Sequence, residues 1–280
     1  MQPINQIISK KLNMTTDFEM RLVREYRCEG CGNLVKVYRM KYPVGPKKGQ
    51  WFEGKKGCDC ELLEIVRREQ AEANAARMKR IFEENSLINP SLREASFENF
   101  EPGEFREAYE RAKKYVEEFD INKPKNLLFQ GTFGTGKSHL SVSIAKAIAQ
   151  KGYSSIFIST PKLLTKIRNT YNKDSELSEE QIINALANAD LVVFDDIGAE
   201  GMANEYGKPS SWALQKIFEI IDQRSGKHNI FTTNLSSAEF EATKDLQRIF
   251  SRMMMNSEPI IMNGPDYRKR KFLREAKGNV

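Results

Sequence analysis

A short, largely apolar segment, Asn126-Leu127-Leu128-Phe129-Gln130, runs directly into Gly131-Thr132-Phe133-Gly134-Thr135-Gly136-Lys137-Ser138. Beyond it, Leu140, Ile144, Ala147 and Ile148 recur at helical spacing up to Gln150. The octapeptide fits G-x-x-x-x-G-K-[ST], and its position between a strand and a helix gives it mechanical meaning. Glycines permit the tight turn and let the backbone N–H groups approach phosphate oxygens, with the helix N-terminus aimed the same way. Gly131, Thr132, Phe133, Gly134, Thr135, Gly136, Lys137, Ser138 and the adjoining His139 are therefore the expected nucleotide-binding residues. Lys137 would reach the β and γ phosphates, and the Ser138 hydroxyl would hold Mg²⁺.

A second acidic signal follows at ordinary spacing. Leu191-Val192-Val193-Phe194 reads as a buried strand that ends in Asp195-Asp196. Asp195 is the expected Mg²⁺ residue, and Asp196 the residue that orients or deprotonates the attacking water. Strands are also expected over Ser155–Ser159, Asn229–Asn234 and Glu258–Met262, the second of these ending in Thr232-Thr233-Asn234. Asn234 or Thr233 would contact the γ-phosphate or the water. Helices are expected over Glu104–Phe119, Pro161–Lys173 and Ser178–Ala189. Strands alternating with helices predict an α/β fold, a five-stranded parallel sheet covered on both faces.

All four cysteines lie in the first sixty residues, as the pairs Cys28/Cys31 and Cys58/Cys60. Two close pairs of thiolates can close a tetrahedral Zn²⁺ site. Scattered free thiols, or a redox Cys-x-x-Cys pair, are the other readings; confinement to one segment and the lack of a thioredoxin-like context speak against them. A segment this small builds little core, so metal binding would supply most of its folding energy. The chain then divides into a zinc-binding, partner-docking module (1–65), a helical linker (66–95) without Pro or Gly until Pro90, and an ATPase domain (96–280).

The net charge is +6 and uneven. Residues 1–60 carry twelve Lys/Arg against six Asp/Glu, and residues 265–280 carry six against two, so the centre is mildly acidic. Basic ends suit nucleic acid or an acidic partner. No segment approaches a membrane span and the first residues lack a signal-peptide core, so a cytoplasmic location is expected.

The octapeptide, the Phe194-Asp195-Asp196-Ile197-Gly198-Ala199-Glu200 run and the Thr-Thr-Asn strand end together resemble the AAA+ ATPases. More narrowly, they resemble the DnaC/DnaI-type helicase loaders of bacteria and phages, with IstB-type transposition ATPases close by. The resemblance covers about residues 96–270, and a cysteine-rich N-terminal module resembles the DnaI type. It implies a loader that uses ATP to bind a hexameric replicative helicase and place it on single-stranded DNA; the alternative is a transposition regulator acting on duplex DNA with a transposase. It implies that Thr233-Asn234 is the first sensor. It also implies that Arg252, in Arg248-Ile249-Phe250-Ser251-Arg252, is an arginine finger acting on a neighbouring subunit, so that the chain self-associates through its ATP sites. Arg224 is a second candidate for that interface, and Arg268 for a nucleotide contact. The helix after the second strand falls where replication initiators touch single-stranded DNA. Lys162, Lys166 and Lys173 would form its outer face, opposite Leu163, Leu164, Ile167 and Tyr171. Two departures stand out. Asp196 replaces the usual Glu, which implies slow hydrolysis stimulated by assembly or DNA, and the helical lid is reduced or absent.

Overall fold

The computed structural model describes residues 20–172, 177–198 and 211–278. Among the sequence expectations, Lys173, Ala199 and Glu200 lie outside the described residues. The chain forms two compact units that meet at Gln70/Ala71.

In the first unit, strands β1 (Arg21–Arg27), β2 (Leu34–Lys41) and β3 (Trp51–Lys56) make an antiparallel sheet in that order. β2 alternates between buried and more exposed positions at its start, and among the described residues of this unit Val35 and Val37 are the fully buried hydrophobic ones. Two valines are far too little apolar surface to offset the ordering of fifty residues. Helix α1 (Cys60–Asn85) begins on the last cysteine and runs through the boundary into the second unit.

The second unit is a parallel sheet of five strands in the order β5-β6-β7-β4-β8, built from β4 (Asn126–Gln130), β5 (Ser155–Ser159), β6 (Leu191–Ile197), β7 (His228–Thr233) and β8 (Ser257–Ile261). Successive residues point to opposite faces, and both faces are covered, so the strands read as continuous apolar runs. Leu128, Ile156, Val192, Phe194 and Phe231 pack in one layer, beneath helices α4 (Thr160–Asn169), α5 (Glu179–Asn188), α6 (Ser211–Gln223) and α8 (Lys244–Met254). Leu127, Phe129, Phe157, Val193 and Ile230 pack in the other, against α2 (Arg106–Glu117) and α3 (Lys137–Gln150). The short α7 (Ser237–Phe240) and a final helix, α9 (Tyr267–Gly278), complete the unit. Ser178 and Gln181 form a reciprocal capping box at the start of α5.

Three expectations need correction. The helical linker over 66–95 is not merely a connector. Phe82 and Ala95 are core residues of the second unit, and Leu87 bridges to Ile158, with its N–H on Phe157 O at 2.8 Å, so it extends the sheet edge. Helix α4 ends at Asn169, before Tyr171, which is exposed and meets Trp212 edge-on. Its lysines are not a free outer row: Lys162 Nζ donates to Ile88 O at 3.2 Å, and Lys166 lines a small groove with Leu163 and Ile182. Long lysine stems cover apolar surface while their heads find oxygen, a choice that periodicity does not reveal.

Arg224 is the third correction. It is wholly buried and is no interface residue. Its Nε donates to Asn229 Oδ1 at 2.6 Å, Nη1 to Leu186 O and Ala189 O, and Nη2 to His228 O at 2.8 Å. The guanidinium thus ties the end of α5 to the start of β7. Truncation would leave several buried acceptors without donors, each costing about 1–3 kcal/mol. Arg224→Ala should lower unfolding stability by at least about 3 kcal/mol in urea titrations; a change within experimental error would contradict this role.

Candidate nucleotide-binding site and cysteine cluster

The order of the strands brings the ends of β6, β7 and β4 side by side at one edge of the sheet, where ligands of open α/β folds bind. Gly131 to Gly136 turn there from β4 into α3. Gly136 is left-handed (φ 96°), and a Cβ on it would fall 2.6 Å from the Phe100 ring. Gly134 (φ 71°) would place a Cβ 1.9 Å from Asp266 Oδ1. Neither position tolerates a side chain. The α3 N-terminus has no side-chain cap, so its first N–H groups and its dipole remain available to an anion.

Lys137 is buried, and its Nζ donates to Gly131 O at 2.8 Å and Thr132 O at 2.6 Å. Burial pushes it down to about 8, against the pull of Asp196 and Asp195. Asp195 is pushed up to about 6, again mainly by burial, while hydrogen bonds from Thr232 and Ser138 favour its charged form. The two residues expected to hold Mg²⁺, Ser138 and Asp195, border the same cleft.

The β6–β7 register slips between Phe194 and Ile197, and Asp196 sits at the slip with φ 65°. Such a bulge re-aims a side chain, and the left-handed region is unusual for a residue other than glycine. Here it turns Asp196 toward the end of β7, where Asn234 Nδ2 donates to Asp196 Oδ1 at 2.8 Å. Thr232 holds the slip together. Its hydroxyl donates to Asp195 Oδ1 at 2.7 Å and accepts from Asp196 N at 2.8 Å. The sequence reading passed over Thr232 for its neighbour. Thr233 is fully buried, and its hydroxyl donates to Ile197 O at 2.7 Å, so only Asn234 of that expected pair faces the cleft. Strand alternation was the missed signal: Thr232 and Asn234 share one side of the strand, Thr233 the other.

These groups line a cleft of about 620 Å³, the size of a small-molecule site. Its other wall includes Phe100, Tyr267 and Arg268. His139 borders the cleft but gives its Nε2 to Ser96 O (2.9 Å) and its ring edge to Phe100, which pins the Ser96–Phe100 loop. Residues past β8 are strapped to the glycine loop. Thr132 Oγ1 donates to Gly264 O at 2.7 Å, and Tyr267 N donates to Gly134 O at 2.9 Å. Arg268 reaches Asp266 at 3.4 Å. Arg252 is not among the residues lining this cleft. It lies on α8, paired with Asp222 at 2.6 Å and partly exposed. An uncapped helix start, a buried lysine and two carboxylates around one cleft fit a nucleotide with its magnesium.

In the first unit, the Sγ atoms of Cys28, Cys31, Cys58 and Cys60 all lie within 4.8 Å of one another. Zn–S bonds of about 2.3 Å give tetrahedral S···S edges of about 3.8 Å, so this donor set fits one tetrahedral ion. Cys60 N donates to Cys58 Sγ at 3.2 Å, a backbone contact that steadies a thiolate. Neighbouring thiols push Cys60 up to about 12, whereas a hydrogen bond donated by the Cys31 backbone leads the lowering of Cys28 to about 7. A bound cation would relieve this crowding of sulfurs.

The profile of the IstB-like ATP binding protein family matches residues 54–275. The replicative helicase loader DnaC of Escherichia coli (strain K12) is 34% identical over 206 residues, 72% of this chain and 80% of that protein. The replicative helicase loader DnaI of Bacillus subtilis (strain 168) is 24% identical over 287 aligned positions, 94% of this chain and 84% of that protein, which takes in most of the cysteine-bearing unit. In three dimensions, the crystal structure of the DnaC helicase loader superposes with a TM-score of 0.51 at 24% identity, covering 62% of this chain and 99% of that one. The DnaI crystal structure gives 0.52 at 22% identity, covering 68% and 98%. The fold is thus that of the AAA+ proteins. The chain belongs to the IstB-like ATP-binding family, and the curated relatives just described are helicase loaders. No helix of the described residues is long and apolar enough to cross a membrane.

Thr232→Val keeps the shape but removes both hydrogen bonds at the bulge. ATP hydrolysis should fall about 10–100-fold, as when a partner behind a metal ligand is lost, with nucleotide binding less affected; unchanged turnover in a coupled assay would contradict this. Because Lys137 titrates near 8 in the free chain, its protonated fraction falls as pH rises through that value. ADP affinity, read with a fluorescent analogue, should therefore decline above about pH 8, while Lys137→Met should bind weakly and without that limb. Chelation should abolish the β1–β3 sheet and shift the emission of Trp51 while ADP binding persists; unchanged spectra after complete metal removal would refute a structural ion.

Proposed function

We propose that this chain is an ATP-dependent loader that binds a hexameric replicative helicase and helps place it on single-stranded DNA. The observation that carries the reading is a nucleotide-sized cleft lined by the glycine loop, Lys137, Asp195 and Asp196 in a chain 34% identical to a replicative helicase loader. The transposition-regulator reading has no comparable observation behind it.

In this account the α3 N-terminus and the glycine loop bind the phosphates. Lys137 leaves the carbonyls of Gly131 and Thr132 for the β and γ oxygens. Ser138 and Asp195 would hold Mg²⁺, which when bound neutralises charge on the phosphates. Asp196, aimed by the bulge and held by Asn234, orients the attacking water and accepts its proton. An aspartate reaches one methylene less far than the usual glutamate, which fits slow hydrolysis stimulated by assembly or DNA.

Arg252 acts in trans. Its partial exposure and its distance from the residues of its own cleft suit a guanidinium offered to a neighbouring subunit, where it would exchange Asp222 for the γ-phosphate. The cysteine unit, stiffened by Zn²⁺, and the start of α1 form the helicase dock. Leu62, Leu63, Ile65 and Val66 are all exposed there, an apolar cluster that a solitary helix would not present to water.

Arg252→Ala should bind ATP normally but lose about 10³-fold or more of assembly-stimulated hydrolysis; equal losses in binding and turnover would point to a structural role in α8 instead. The reading as a whole is tested by affinity capture from the native host with ATP and Mg²⁺. Recovery of a replicative helicase supports the loader. Recovery of a transposase would replace it with the transposition regulator.

A further inference from the structure

The sheet of the first unit has two unlike faces. Directly paired residues of an antiparallel ladder share a face. Along β2, Arg39 pairs with Arg21 and with Glu53, Val37 with Arg24, Val35 with Tyr26, and Lys41 with Trp51. Alternation puts all of these on one side. That side therefore gathers guanidinium groups from β1 and β2 and two aromatic rings around the buried Val35 and Val37. The other side pairs Lys36 with Glu25 at 3.0 Å and with Lys56, sets Arg27 opposite Leu34, and is apolar about Met40 and Phe52.

The rings on the basic face are 39% exposed in both cases. Each sits beside a cation of the same row. The Arg24 guanidinium is 6.0 Å from the Tyr26 centroid, and Arg39 and Lys41 are 5.5 and 4.7 Å from that of Trp51. Flat rings interleaved with guanidinium groups match the chemistry of a single strand, whose bases stack and whose phosphates need cations. A duplex hides its base faces, so it would leave the rings unused. An acidic protein surface would engage the cations and leave the rings without a stacking partner. Tyr26 and Trp51 lie at opposite corners of the sheet, roughly 20 Å apart along the strands, enough for about four nucleotides, the small end of single-strand sites.

We infer that this face of the first unit binds single-stranded nucleic acid, with phosphates on Arg21, Arg24 and Arg39 and bases stacked on Trp51 and Tyr26. The surface is independent of the ATP cleft and of the loader reading. It also supplies a strand contact where Lys162, turned to Ile88 O, and Lys166, lining a groove, do not offer an open row on α4.

The test uses the full, zinc-loaded chain in the absence of ATP. Trp51 and Trp212 are its two tryptophans, so Trp212→Phe makes Trp51 the sole indole reporter. A short fluorescein-labelled oligothymidylate is titrated by anisotropy, and an unlabelled one by tryptophan emission. Stacking should quench Trp51. Trp51→Ala should weaken binding about tenfold, while Trp51→Phe, which keeps a ring, should retain most of it. Arg24→Glu with Arg39→Glu should flatten the plot of log affinity against log salt by at least about 1.4, the share of two phosphates. Zinc content is measured for every variant. Should the glutamate pair lose its metal, Arg24→Gln with Arg39→Gln takes its place. Unquenched Trp51 with unchanged affinity in these variants would overturn the inference. So would variants that keep the oligonucleotide but lose a purified replicative helicase, since the face would then be a protein dock. Capture of the helicase by variants that lose only the oligonucleotide would uphold it and leave the loader reading intact.

Discussion

One hydroxyl organises the chemical edge of the second unit. Thr232 Oγ1 donates to the Asp195 carboxylate and accepts from the Asp196 backbone, and so spans the slip in register between β6 and β7. Without that slip, alternation would send consecutive acids to opposite faces of the sheet. With it, Asp195 stays buried beside Ser138, and Asp196 turns through a left-handed backbone to meet Asn234. Burial pushes the Asp195 carboxyl up to about 6 and the Lys137 amine down to about 8, and a charged ligand acts against both shifts. Binding a polyanion and its cation thus satisfies groups that the fold has already placed and partly desolvated.

Most of this edge was legible in the sequence because it is local. The glycine loop, Lys137, Ser138 and the acids at the end of β6 are contiguous motifs, and all five strands of the sheet announce themselves as short runs with apolar residues. What stayed illegible depends on contacts between segments distant in the chain. Arg224 looked like an interface cation at the end of a helix. Its fate was settled by carbonyls of residues 186, 189 and 228 that converge on it only in the fold. Lys162 and Lys166 looked like a free row because helical periodicity says which side a residue occupies and not which oxygen its tip will find. The strap from Gly264 and Tyr267 onto the glycine loop left no pattern beyond the resemblance that singles out Arg268. β1 and β3 were missed for another reason. They are basic, exposed strands without a hydrophobic run, and they are legible only through the ladder with β2.

The two units rest on different physics. The second buries two apolar layers against a parallel sheet and folds as α/β domains do. Among its described residues the first buries two valines and gathers four sulfurs that fit one tetrahedral ion, whose binding would supply folding energy. That difference frees the first unit's surface. A sheet that owes little to its own core can expose arginines and aromatic rings on one face and a leucine-rich helix start beyond it, and both suit partners better than they suit solvent.

On the proposed reading, the ATP cleft is complete only between subunits, with Arg252 supplied by the neighbour. Mixing two inactive variants tests it directly. Lys137→Ala retains the finger and lacks a working phosphate site; Arg252→Ala is the converse. Hydrolysis should be absent from each alone and should appear in the mixture, where some interfaces combine an intact cleft with an intact arginine. A mixture no more active than its parts, at concentrations where the chains assemble, would contradict the claim.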